Sequence, residues 1–69
     1  MGKTKITING KEKEISVNST VAAMLSELEV TGTMFVVEKN LKIVNKEDYS
    51  TTQVQDGDII ELVGFFGGG

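Results

Sequence analysis

The stretch Lys11-Glu12-Lys13-Glu14-Ile15-Ser16-Val17-Asn18-Ser19-Thr20-Val21-Ala22-Ala23-Met24-Leu25-Ser26-Glu27-Leu28 changes its hydrophobic period halfway along. Lys11 to Val17 alternates through Ile15 and Val17, leaving Lys13, Glu14 and Ser16 for solvent, and a period of two marks a strand. From Val21 the apolar residues fall at i, i+3, i+4 and i+7 (Val21, Met24, Leu25, Leu28), one stripe on a helix. Ser19 or Thr20 supplies the N-cap oxygen, and Gly32, just past the pattern, lets the chain turn away. So short a helix persists only by packing its stripe against something else, which makes Met24 and the leucines core rather than a ligand site.

Upstream, Thr4 to Asn9 alternates through Ile6 and Ile8 and ends in Asn9-Gly10, residues that tolerate the positive φ of a type I′ hairpin turn. Downstream, Met34 to Glu38 is rich in Phe and Val and reads as a strand covered in part on both faces. Lys39-Asn40 marks a turn, and Lys42 to Asn45 a short strand. Lys46 to Thr52 is a polar loop with a helical turn, in which Tyr49 is a packing anchor rather than a catalytic phenol. Asp56-Gly57-Asp58 is a turn; as a Ca²⁺ loop it lacks the further spaced ligands and the terminal Glu. Ile59 to Val63 is the last strand, with Ile60 and Leu62 on one side and Ile59, Glu61 and Val63 on the other; alternation does not say which set is buried. The order β-β-α-β-β-β with one amphipathic helix predicts an α+β, ubiquitin-like β-grasp: a mixed sheet with the helix on one face and a right-handed crossover. The expected division is a β-grasp domain over 1–63 and a glycine-rich tail over 64–69.

Composition narrows the chemistry. The 69 residues are 39% hydrophobic and 25% charged, with no Pro, no Cys and no His. Without Cys there is neither a disulfide framework nor a thiol nucleophile; without His the usual neutral-pH base and the commonest transition-metal ligand are missing. The cations are seven Lys, so bidentate Arg clamps on phosphate are absent. A net charge of −3 argues against nucleic acid, and no apolar run approaches membrane-spanning length. The expectation is a cytoplasmic protein that is not itself an enzyme.

What remains is the ending Gly64-Phe65-Phe66-Gly67-Gly68-Gly69. Extended, six residues reach roughly 20 Å, and glycines thread a channel too narrow for side chains while leaving a carboxylate open to attack. Glycine-rich ends are also common as frayed termini. Phe65 and Phe66 weigh against that, being unfavourable to leave in water: one folds back on the core and the other serves as an interface anchor.

Together these residues resemble the ThiS family, small β-grasp sulfur carriers of thiamine biosynthesis. The resemblance spans nearly the whole chain. It is carried by Phe35-Val36-Val37-Glu38-Lys39-Asn40, similar to the family's Val-Glu-x-Asn segment, and by Glu61-Leu62-Val63-Gly64-Phe65-Phe66-Gly67-Gly68-Gly69. Ile8-Asn9-Gly10 and Ser19-Thr20-Val21 fit as well. The diglycine end is shared with molybdopterin-synthase small subunits and ubiquitin-like modifiers; the latter often carry basic residues where Phe65-Phe66 stand here.

The resemblance implies a cycle at Gly69. A ThiF-type, E1-like adenylyltransferase would use ATP and Mg²⁺ to activate the carboxylate, and a cysteine desulfurase or sulfurtransferase would supply sulfur for a C-terminal thiocarboxylate. A ThiG-type thiazole synthase would then consume that sulfur. Gly67 and Gly68 would thread the partner's active site, and the chain itself would bind no cofactor. The residues agree at one point: a sulfur carrier without cysteine has its terminal carboxyl as the reasonable place to hold sulfur. That group, with a pKa near 3.5, is ionised and unreactive until a partner activates it. Ile59, Val63, Phe65 and Phe66, with Glu38 and Glu61 as acidic neighbours, are the expected recognition surface. The alternatives are a carrier for molybdopterin or another sulfur-containing metabolite, a ubiquitin-like modifier, and a plain interaction module.

Overall fold

The computed structural model describes residues 2–30 and 34–64. Strands β1 (Lys3–Ile8) and β2 (Lys11–Ser16) form an antiparallel hairpin, followed by helix α1 (Val21–Glu27), β3 (Val36–Lys39), β4 (Lys42–Val44), a 3₁₀ turn at Lys46–Asp48, and β5 (Ile59–Val63). The sheet order is β2-β1-β5-β3-β4, with β5 parallel to β1 and antiparallel to β3. This is the mixed sheet with one helix that the period change predicts. The last strand therefore lies in the middle of the sheet.

One set of alternating side chains packs under the helix. Ile6, Ile8, Ile15, Val37, Val44, Ile60 and Leu62 are buried with Val21, Met24 and Leu25 of α1 and Val54 of the following loop. Ile60 and Leu62 are buried while Ile59 and Val63 are exposed, which settles the question left open by alternation in β5; fully burying a side chain such as Ile60 contributes about 1.5–3 kcal/mol. Val36 is exposed while Val37 is buried, so β3 is covered on one face, not on both. Val17 is exposed too. β2 ends at Ser16, and Asn18 takes a positive φ of 65° that carries the chain off the sheet.

The amides at the start of α1 are satisfied locally. Thr20, not Ser19, is the cap, its Oγ1 accepting from the Ala23 amide at 3.1 Å, and Val21 and Ala22 donate to the carbonyls of Thr52 and Tyr49. Ser19 instead turns its buried hydroxyl to the Ser16 carbonyl at 2.7 Å. The helix leaves at Glu29 rather than at Gly32. Glu29 has a φ of 59°, and the amides of Glu29 and Val30 donate to Ser26 and Leu25 carbonyls, the paired bonds of a Schellman ending. Gly32 lies outside the described residues. Tyr49 is half-buried against the core, and burial pushes its phenol pKa up from the ordinary 10.0.

Two hairpin turns bound the sheet. Asn9-Gly10 joins β1 to β2 with φ values of 49° and 81°; Asn40-Leu41 joins β3 to β4 with 52° and 71°. Both have the positive φ pair of a type I′ turn. Glycine accepts that conformation freely, whereas an L side chain there costs about 1–2 kcal/mol.

Candidate functional site

The face of the sheet opposite α1 divides in two. On β1 and β2 it is polar: Lys5 stands opposite Glu14 and Thr7 opposite Glu12, a mixed-charge, solvated surface. On β3, β4 and β5 it is largely apolar. Val36 lies opposite Val63, and Ile43, Glu38 and Glu61 form one cross-strand row. Ile59 is 50% exposed and Val63 48%, with Val36 and Ile43 exposed beside them. Ile59, Glu61, Val63 and Glu38, the surface residues expected from the sequence, are thus brought together on one face. Val36 and Ile43 extend it; Val36 was obscured by the unbroken apolar run of β3, and Ile43 by a strand of three residues.

Glu38 and Glu61 are directly opposed on neighbouring antiparallel strands. Like charges in that relation destabilise a sheet. Nothing in the fold requires a carboxylate at either place, since neither is in the core.

The edge of this face is fixed by a polar clamp. Asn40 donates from Nδ2 to Asp58 at 3.0 Å, accepts on Oδ1 from the Ile59 amide at 2.9 Å, and donates its own amide to the Ile59 carbonyl at 2.7 Å. Asp58 is buried and also accepts from the Gln55 amide at 2.8 Å, with the Lys39 ammonium 3.8 Å away. The β3–β4 turn is thereby pinned to the start of β5. Asp56 accepts from the Lys5 amide at 2.9 Å. Both carboxylates of Asp56-Gly57-Asp58 therefore serve the turn, and among the described residues no group of three or more metal-ligating side chains assembles.

At the other end of β5, Asn9 continues the ladder beyond β1 by accepting the Leu62 amide on Oδ1 at 2.8 Å. Gly64 follows with a φ of 88°, and a Cβ there would sit 3.3 Å from the Met34 carbonyl oxygen and 3.9 Å from Phe35 Cα. The backbone thus leaves the sheet in a conformation suited to glycine, pressed against the chain that leads into β3. Phe65, Phe66, Gly67, Gly68 and Gly69 lie outside the described residues, so the expected fold-back of one phenylalanine falls there too.

A strand order that runs the chain out of the middle of a β-grasp sheet into a glycine-rich end agrees with a match to the ThiS family model over residues 6–69. The chain belongs to the ThiS family. The crystal structure of a ThiS thiamine biosynthesis protein from Geobacter metallireducens superposes with a TM-score of 0.81 at 33% identity, covering 96% of this chain and 100% of the other. The sulfur carrier protein ThiS of Bacillus subtilis is 32% identical over 65 residues, 93% of this chain and 98% of the relative. A protein named thiazole synthase from Paramagnetospirillum magneticum is 48% identical over 65 residues. There the match covers 94% of this chain but 20% of the relative, so the chain spans about a fifth of that protein's length. A second thiazole synthase, from Magnetococcus marinus, matches at 32% identity over the same fraction. Among the described residues no helix is long and apolar enough to cross a membrane.

Proposed function

We propose that this ThiS-family chain carries sulfur for thiazole formation in thiamine biosynthesis, as a thiocarboxylate on Gly69 once that residue is the free end. The observation that carries the reading is family membership over 6–69, together with a last strand in the middle of the sheet that is followed in sequence by Gly64-Phe65-Phe66-Gly67-Gly68-Gly69. The reaction divides into two exchanges and a reductive cleavage. A ThiF-type adenylyltransferase joins the Gly69 carboxylate to AMP, releasing pyrophosphate from Mg²⁺-bound ATP. A persulfide charged by a cysteine desulfurase or sulfurtransferase then attacks the carbonyl carbon with its outer sulfur and expels AMP. A thiol reductant cleaves the S–S bond of that adduct, leaving the sulfur as thiocarboxylate and the donor in a disulfide with the reductant.

The chain's own contribution is recognition and reach. The body offers the apolar half of the open face, with Ile59, Val63, Phe65 and Phe66 as contacts and Glu38 and Glu61 as charged neighbours, while Gly67 and Gly68 admit the end to a narrow active site. The chain acts as a co-substrate, and a thiazole synthase receives the sulfur. The two relatives of that name, each matching this chain over a fifth of its length, support that partner.

The test is intact-protein mass spectrometry after incubation with the adenylyltransferase, ATP, Mg²⁺, a sulfur source and a thiol reductant. The expected product is heavier by the exchange of one oxygen for sulfur, localised to the last peptide. A variant extended by one residue beyond Gly69 and resistant to trimming must fail to gain it; sulfur uptake at the native rate by that variant would overturn the proposal.

A further inference from the structure

The two hairpin turns share a backbone geometry but not a residue type. Where Asn9-Gly10 places glycine at a φ of 81°, Asn40-Leu41 places leucine at 71°. Leu41 gains nothing from the core in exchange, because it is 84% exposed. Its conformation persists because the surroundings over-determine it: Asn40 is held by three hydrogen bonds to Asp58 and Ile59. The result is a large apolar side chain in an unfavourable backbone state, fully offered to solvent at a rigid corner.

That corner borders the apolar half of the open face. The tie from Asn40 to Ile59 places the start of β5 beside the turn, and Ile43 lies two residues further along β4. In the same face the unfavourable Glu38–Glu61 pair leaves a site where an incoming cation relieves repulsion. One complementary surface satisfies both features: an apolar socket for Leu41 and a Lys or Arg directed at the two carboxylates.

We propose that Leu41 is the anchor by which this chain docks on a thiazole synthase, with a basic side chain of that enzyme meeting Glu38 and Glu61. The proposal rests on the carrier reading above. Thiazole synthase is the occupant because two proteins of that name match this chain over a fifth of their length, which places the fold alongside that enzyme.

The experiment measures affinity for the thiazole synthase of the same organism by calorimetry, alongside the melting temperature of each variant. Leu41→Gly relieves the backbone and removes the anchor. It is expected to melt higher than the parent protein and bind about tenfold or more weaker. Glu38→Gln with Glu61→Gln is expected to weaken binding and flatten its salt dependence, and Val17→Ala, exposed but away from this face, to leave affinity unchanged. Parent affinity in Leu41→Gly, or a lower melting temperature, overturns the proposal. So does a loss confined to the adenylyltransferase, which would make that enzyme the occupant. If the parent protein does not bind thiazole synthase at all, the carrier–synthase reading itself fails.

Discussion

The two faces of this sheet are made by the same strands and obey different rules. Under α1, Ile6, Val37, Ile60 and Leu62 are chosen by volume and enclosed. On the opposite side, Val36, Ile43, Ile59 and Val63 are just as apolar yet stay in contact with water, with two carboxylates opposed between them. Folding explains the first set completely and leaves the second unexplained. The difference teaches that hydrophobicity in β5 serves the core at even positions and is left to solvent at odd ones, the positions that the proposed function gives to a partner.

The sharpest way to break that comparison uses adjacent isoleucines. Ile60→Ala should cost about 2–5 kcal/mol in denaturant unfolding, whereas Ile59→Ala should stay within about 0.5 kcal/mol yet weaken partner binding. Equal losses of stability would erase the distinction between faces. Gly64→Ala should come next, at about 1–2 kcal/mol, since its φ of 88° disfavours a side chain and its Cβ would meet the Met34 carbonyl. Glu38→Gln should stabilise the isolated protein by about 0.2–1 kcal/mol at low salt, and less at high salt as screening removes the repulsion. The smallest effect concerns Tyr49. Its folded-state pKa lies above the unfolded 10.0, so the stability it contributes is complete below pH 10 and is lost as pH rises through the folded value. Tyr49→Phe should make alkaline unfolding less steep, measured from pH 9 upward.

The sequence exposed what is local and periodic. Asn9-Gly10, the 3.6-residue stripe of α1 and the alternation of β5 each lie within a few residues of one another, and the sheet follows from covering that stripe. What escaped notice depends on contacts across the chain. Asn40 and Asp58 are 18 residues apart and show nothing of their clamp until β3 and β5 are paired. The exit at Glu29 ran against expectation because Schellman bonds fix the turn regardless of the residue's preference for it. Leu41 was unreadable for the same reason: nothing in Lys39-Asn40-Leu41-Lys42 announces a left-handed leucine. The shared side of Ile59, Glu61 and Val63 was visible as parity, whereas the place of Glu38 beside them follows from the pairing of β3 with β5. The extension to Val36 and Ile43 needed the register.

The position of β5 also has a mechanical side. Tension applied to the chain beyond Gly64 acts along a strand bonded to β1 on one flank and β3 on the other. Withdrawing it must slide several backbone hydrogen bonds at once, where an edge strand would peel away one at a time. The body therefore resists a pull on the segment beyond Gly64 without unravelling.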